Sequence, residues 1–260
     1  MKLLVLIVAL AAAAQTKPST RPGGEITPPP RRDVPGKRIQ LTRGELFIPD
    51  FFRADPAQAD LVIWFHGAAW CAEQVFYDAR RNAVLLATNA ATLKRGFAKP
   101  AEFLDLLKEV SNALRDAGTT ERELSRIALV SFSGGWTSVR DVLSHPELAR
   151  DIDEVVLLDS LYARDEQSLM PFVDFARRAR DGEARFVFTQ LYPPLEEHRR
   201  NATTVNAMKL IGRLQLVREA ASGKVLYRAS KGNALILGIS GMTNQDHFDH
   251  FYNAADVLKR

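Results

Sequence analysis

The sequence predicts an α/β fold: a mostly parallel central sheet with helices on both faces and no large lid domain. Three observations predict it. Short continuous apolar runs at residues 61–65 (LVIWF), 84–88 (VLLAT), 127–130 (IALV), 155–158 (VVLL) and 186–189 (FVFT) suit strands buried on both faces. Between most of these runs lie stretches whose apolar residues recur at helical spacing. A chain of 260 residues, 46% hydrophobic and 25% charged, has enough apolar surface for one large α/β domain.

Taken in order, the chain opens on Lys2 and an apolar run over residues 3–14 that ends in the small residues Ala12 and Ala14. A positive start, a short apolar stretch and an A-x-A pattern predict a secretory signal peptide over residues 1–14. The run falls short of the roughly 20 apolar residues that cross a bilayer, so no stable membrane insertion is expected after cleavage. The mature chain is expected to be secreted or periplasmic. Residues 15–36 hold Pro18, Pro22, Pro28, Pro29, Pro30 and Pro35 with Gly23 and Gly24. With so little apolar surface to offset its ordering entropy, this stretch is expected to be a disordered linker. The domain proper is expected over 37–260.

Residues 38–49 alternate around a break at Gly44 and predict one or two early strands. Pro100 opens a helix with Phe103, Leu107, Val110 and Leu114 on one face, closed by Gly118. The run at 127–130 leads at once into Ser-Phe-Ser-Gly-Gly and a helix through Leu143. The strand at 155–158 pairs with a helix over 169–179. The strand at 186–189 is followed by a helix over 203–220 with Val205, Met208, Ile211 and Leu214 inward. Residues 234–239 form the last strand, residues 224–229 an extra strand joined to it through 230–233, and 248–258 the closing helix. Segments 71–81 and 89–99 are long enough to shape an entrance but not to build an extensive lid.

Composition narrows the function. Lys+Arg 35 against Asp+Glu 31 is a thin excess, with no basic stripe interleaved with aromatics, so nucleic acid is not expected as a partner. Cys 1 rules out an intrachain disulfide and a thiolate metal cluster. Nothing in the sequence sets an oligomeric state.

Ligands of such sheets bind beyond the carboxyl ends of the strands, which directs attention to the loops there. Ser131-Phe132-Ser133-Gly134-Gly135 lies between a strand and a helix. A nucleophile exposed at that turn needs small residues two before and two after it, and Ser131 and Gly135 supply them around Ser133. The bland alternative is a Gly-rich turn capping a helix. His66-Gly67-Ala68-Ala69-Trp70 directly follows the 61–65 strand. Its Ala68 or Gly67 N–H, paired with that of Gly134, is placed to hold a developing oxyanion. His66 is read as a brace for this loop rather than a base.

Asp159 ends the 155–158 strand, where a carboxylate can fix an imidazole; Asp there is also a routine turn residue. Glu196 and Glu197 are rival acids in a charged stretch that reads as solvated surface. Asp246-His247-Phe248-Asp249-His250-Phe251 supplies the base. His247, nearer the loop, is preferred to His250 one turn deeper. A His-Asp-His metal site is the sharp alternative, and it lacks a clear third or fourth ligand. Trp70, Trp136, Tyr162 and Tyr192 follow rim strands and are candidates to line an apolar substrate site. Cys71 reads as a packed small residue, and Asn201-Ala202-Thr203 matches a glycosylation sequon.

HGAAW after a strand, SFSGG at a strand-to-helix turn, an acid after a later strand and DHFDHF near the end together resemble the α/β-hydrolase superfamily, from about Arg38 onward. Within it the chain looks like small secreted bacterial hydrolases. Many members carry the acid after the strand two beyond the nucleophile, whereas Asp159 follows the very next one. The resemblance implies a serine hydrolase acting on a small-molecule acyl substrate, with Ser133, His247 and Asp159 as its triad and no metal or organic cofactor. It names no substrate. The competing reading is a non-catalytic binding protein on the same scaffold.

Overall fold

The computed structural model describes residues 24–53, 59–88, 97, 99–119, 124–194, 196, 199 and 201–259. The expected signal peptide and most of the expected entrance segment at 89–99 lie outside these.

Strands β1 (Gly36–Leu41) and β2 (Gly44–Pro49) form a hairpin that breaks at Gly44, as the alternation predicts. The body follows with β3 (Ala59–Phe65), α1 (Ala69–Ala79), β4 (Val84–Thr88), α2 (Pro100–Asp116), β5 (Leu124–Phe132), α3 (Trp136–Leu143), α4 (Pro146–Arg150), β6 (Ile152–Leu158), α5 (Glu166–Arg180), β7 (Arg185–Tyr192) and α6 (Ala202–Leu214). The chain continues through β8 (Val217–Ala220), β9 (Val225–Lys231), β10 (Ala234–Ser240), α7 (Asn244–Tyr252) and α8 (Ala255–Leu258). One sheet runs in the order β1-β2-β4-β3-β5-β6-β7-β10-β9-β8. Its centre, from β4 through β10, is parallel; β1, β2, β9 and β8 pair antiparallel at the two edges. The chain therefore has the α/β fold expected of it.

Side chains alternate across the sheet, so each central strand feeds two cores. Leu61, Ile63 and Phe65 face α2, α3, α5 and α6, while Val62 and Trp64 face α1, α7 and α8. That is why these strands read as unbroken apolar runs. Among the described residues no helix is long and apolar enough to cross a membrane.

Several details differ from the sequence reading. The helix expected over 203–220 stops at Leu214, where Gln215 turns left-handed at φ 52° and the chain enters β8. Its buried face is Thr203, Thr204, Asn206, Ala207, Leu210 and Leu214, and Val205 points outward at 38% exposure. The phase was hidden because polar residues occupy the buried face: Thr204 donates to Gln190 and Leu191, and Asn206 to the Leu161 and Ala163 carbonyls. Similarly, Leu106 rather than Leu107 is buried in α2. Segment 71–81, expected to shape the entrance, is mostly helix α1, with Cys71, Val75 and Phe76 in the core.

The closing helix begins before residue 248 and is split in two. Thr243 and Asp246 form a capping box that starts α7 at Asn244, which puts His247 inside the first turns of a helix rather than on a loop.

Of the Pro-rich stretch expected to be a disordered linker, residues 24–35 carry neither helix nor strand but are laid against the domain. Val34 is buried, the Arg32 N–H donates to Gln74 Oε1 at 2.7 Å, and the Thr27 N–H donates to Gln245 Oε1 at 2.7 Å. Prolines restrict the unfolded chain, so fixing such a segment loses less entropy and a few hydrogen bonds can hold it.

Candidate active site

Strand β5 ends at Phe132, and a single 3-10 turn over Ser133–Gly135 leads into α3. Ser133 is left-handed at φ 49°, a strained conformation for a residue with a side chain. Such strain marks positions where surrounding structure over-determines the backbone. Here the determinants are visible. A Cβ on Gly135 would lie 2.3 Å from the Phe65 carbonyl oxygen, so β3 passes too close for any other residue. On the opposite side Ser131 is fully buried, and its hydroxyl shares a 2.8 Å hydrogen bond with Ser160. Ser160 in turn donates to the Ser133 carbonyl at 2.7 Å. The serine in the first small position thus has a buried partner, which explains why it is accommodated there.

The loop after β3 is left-handed at His66 (φ 72°) and Gly67 (φ 111°), and Ala68 is the N-cap of α1. The Gly67 and Ala68 amides therefore stand at a helix N-terminus, the positive end of its dipole. A Cβ on Gly67 would lie 2.6 Å from the Phe251 ring, so this loop is packed directly against α7. The His66 ring faces Phe132 at 6.1 Å with an interplanar angle of 15°. Phe132 also stacks on His247, with ring centroids 4.5 Å apart. Burial and the nearby His247 both hold the His66 imidazole below its ordinary pKa, which favours its neutral form.

Asp159 and His247 meet. Asp159 is fully buried at the end of β6, left-handed at φ 40°, and its Oδ2 is 2.7 Å from His247 Nδ1. The Leu191 N–H donates to its other oxygen at 3.2 Å, and its own N–H donates to the Thr189 carbonyl at 2.7 Å. His250 Nδ1 bonds Thr189 Oγ1 at 2.7 Å. Directly before His247, Asp246 accepts from the Met242 and Thr243 amides and the Thr243 hydroxyl. Burial works against its ionisation, but these hydrogen bonds outweigh it and hold the Asp246 carboxyl below the usual range.

Ser133 is joined to this pair through both chain neighbourhoods. Phe132 before it stacks on His247, and Ser160, which follows Asp159, holds its carbonyl. Of the rival acids, Glu196 is exposed and Glu197 lies outside the described residues.

The expected lining residues divide. The Tyr162 hydroxyl donates to the Asp159 carbonyl at 3.0 Å. Trp136 opens α3, with Arg140 over its ring at 5.4 Å and Phe172 at 6.4 Å. Trp70 lies in the first turn of α1 beneath Arg31, at 5.9 Å, and walls a 370 Å³ cavity with Arg38, Glu45 and Glu73. Tyr192 packs edge-on against Tyr227. Cys71 is buried, and burial pushes its thiol up to about 12, far from a thiolate. Asn201 caps α6 by accepting from the Thr204 N–H. Among the described residues no group of three His, Cys, Asp or Glu side chains is placed to hold a metal ion. Ser160 and Thr189 were missed in the sequence; each is a hydroxyl beside a strand end, a signal too common to single out alone.

No protein-family model and no curated protein matches the chain. Among solved structures it is similar to the siderophore hydrolase EstB from Aspergillus nidulans, at 14% identity over 90% of this chain and 97% of that one, with a TM-score of 0.48. It is also similar to a soluble variant of monoglyceride lipase from Saccharomyces cerevisiae, at 9% identity over 88% and 95% of the two chains, with a TM-score of 0.44. Carboxyl esterase 2 from Tuber melanosporum shares 12% identity over 74% and 75%, with a TM-score of 0.39. The fold class rests on the strand order and pairing given above.

Proposed function

We propose that this chain is a serine hydrolase of the α/β-hydrolase type that cleaves a carboxylic ester or related acyl bond of a small molecule. The observation that carries the reading is the buried 2.7 Å pair of His247 Nδ1 and Asp159 Oδ2 beside the left-handed Ser133. A carboxylate accepts, so His247 carries its proton on Nδ1, and in this tautomer Nε2 is the nitrogen that can act as a base.

In this mechanism Ser133 Oγ attacks the acyl carbon and its proton passes to His247 Nε2. Asp159 holds the imidazole in one tautomer and stabilises its charge. The Gly134 N–H, with that of Ala68 or Gly67, stabilises the oxyanion. The bond to the leaving alcohol breaks as His247 returns the proton to it. Water then attacks the acyl-enzyme, its proton goes to His247, and His247 returns it to Ser133 Oγ as the bond to the carboxylic acid breaks. A neutral His66 suits this cycle, because a second imidazolium near His247 would oppose its protonation. Trp70, Trp136 and Tyr162 are proposed to border the substrate. Residues 1–14 are proposed to direct export and to be removed.

The test is reaction with a fluorophosphonate probe, comparing the mature protein with Ser133→Ala and His247→Ala. Labelling of the wild type that disappears in both variants supports the reading. Absence of labelling in the folded wild type overturns it and leaves the binding-protein alternative.

A further inference from the structure

We infer that His250 is a positioning residue for the Asp159–His247 pair, acting through Thr189; this rests on the reading of that pair as acid and base.

Helix α7 presents two buried histidines three residues apart, and each reaches a different strand end. His247 meets Asp159 just past β6, and His250 meets Thr189 on β7, both at 2.7 Å. Thr189 is the last partner in the β6–β7 ladder, opposite Leu158, so it marks the point where the two strands part. Beyond it Asp159 has no ladder to hold it, and it takes up a strained left-handed backbone at φ 40°. Its amide is caught instead by the Thr189 carbonyl at 2.7 Å, and its side chain by the Leu191 N–H at 3.2 Å. Thr189 therefore does two things at once. Its main chain fixes the acid, and its side chain fixes the helix that carries the base.

The mechanical consequence follows from helix geometry. Residues three apart lie on one face, a turn from each other. Phe251 packs α7 against Gly67 and Phe132, and a second hydrogen bond from the same face, to the adjoining strand, adds a directional restraint on the roll of the helix about its axis. His247 and His250 are 6% and 5% exposed, so water cannot substitute for either bond at little cost. A shift near 1 Å in such a constellation lowers turnover by about 10²-fold.

Four variants test this: Thr189→Val and Thr189→Ser, His250→Leu and His250→Asn. Valine keeps the shape of Thr189 without its hydroxyl, and serine keeps the hydroxyl. The Asn side chain places a polar atom near the position of Nδ1. Two readouts are followed: the low-field proton resonance of the His247 Nδ1–H bonded to Asp159, and kcat and KM with p-nitrophenyl acetate. Thr189→Val and His250→Leu are expected to broaden or lose the resonance and to lower kcat about 10²-fold with KM little changed. Thr189→Ser and His250→Asn are expected to restore both. Thr189→Val that keeps the resonance and kcat overturns the inference. Should His250→Leu fail to fold, the Thr189 pair decides alone, since it exchanges only a hydroxyl and a methyl. The resonance is read without turnover. If the wild type proves inactive while Thr189→Val still loses the resonance, the proposed function falls and the positioning role stands.

Discussion

The Ser160 hydroxyl donates to the Ser133 carbonyl at 2.7 Å, which leaves its oxygen to accept from Ser131 at 2.8 Å. The direction of this chain is fixed by elimination: the Ser133 carbonyl only accepts, so the Ser160 proton goes to it and the Ser131 proton to Ser160. The first residue after the acid is therefore bound to both sides of the elbow. Removing the middle member costs more than removing the end. Ser160→Ala removes the hydrogen bond to the Ser133 carbonyl and the acceptor of the Ser131 hydroxyl, and is expected to lower unfolding stability by about 1–3 kcal/mol. Ser131→Ala leaves the first of these in place and should cost distinctly less. Urea denaturation of the two variants measures the difference; equal losses would contradict the chain's direction.

A second prediction concerns the strain at Ser133 itself. At φ 49° a Cβ is penalised and glycine is not. Ser133→Gly is expected to be more stable than Ser133→Ala by about 1 kcal/mol, although both lose the proposed nucleophile. Thermal denaturation of the pair reads this directly. Identical midpoints would mean the backbone strain is not held in the folded protein.

How much of this was legible beforehand depends on the kind of signal. The central strands were readable because both faces are buried, so every position had to be apolar. Ser133 and Asp159 were chosen because each sits at the end of such a strand or in the turn after one; His247 was chosen for following the last strand, and it lies inside α7 instead. Helix α6 was misphased because Thr203, Thr204 and Asn206 are buried by hydrogen bonds rather than by hydrophobicity. The α7 start was misplaced although Thr243-Asn244-Gln245-Asp246 carries the spacing of a capping box. Thr189 and Ser160 could not be read at all, since their roles depend on which strands adjoin, and that is fixed only by the tertiary fold. Residues 24–35 lacked a local signal because their anchors, Gln74 and Gln245, are distant in sequence.

The acid is the least ordinary member of the proposed triad in its chain position, so it needs its own test. Asp159→Asn keeps the shape but presents either an amide N–H or a weaker acceptor to His247 Nδ1. A neutral partner neither enforces the tautomer nor stabilises the imidazolium, and turnover is expected to fall by about 10³–10⁴-fold with KM little changed. Glu196→Gln, at an exposed position, is expected to leave turnover as it was. Steady-state kinetics on an activated ester compares them. A large loss with Glu196→Gln and none with Asp159→Asn would move the acid to the loop after β7.

The last prediction concerns Glu73, the fifth residue of α1 and 2% exposed. Burial disfavours its charge most strongly. The Arg38 guanidinium at 2.7 Å opposes that effect, while nearby Glu45 adds to it, and the carboxyl is pushed up to about 7. In the unfolded chain the same group titrates near 4.5. Between those two values the folded protein holds a proton that the unfolded chain has lost. Linkage then requires that stability fall as pH rises through this window, the reverse of an ordinary salt-bridged carboxylate. The effect comes from the burial of Glu73 itself and is on the order of 1–3 kcal/mol. Glu73→Gln keeps the shape and an acceptor for Arg38 but cannot ionise. Its stability is expected to decline less than that of the wild type between about pH 4.5 and 7, as read from denaturation midpoints across that range. Parallel curves for the two proteins would show that Glu73 ionises in the fold as readily as in water.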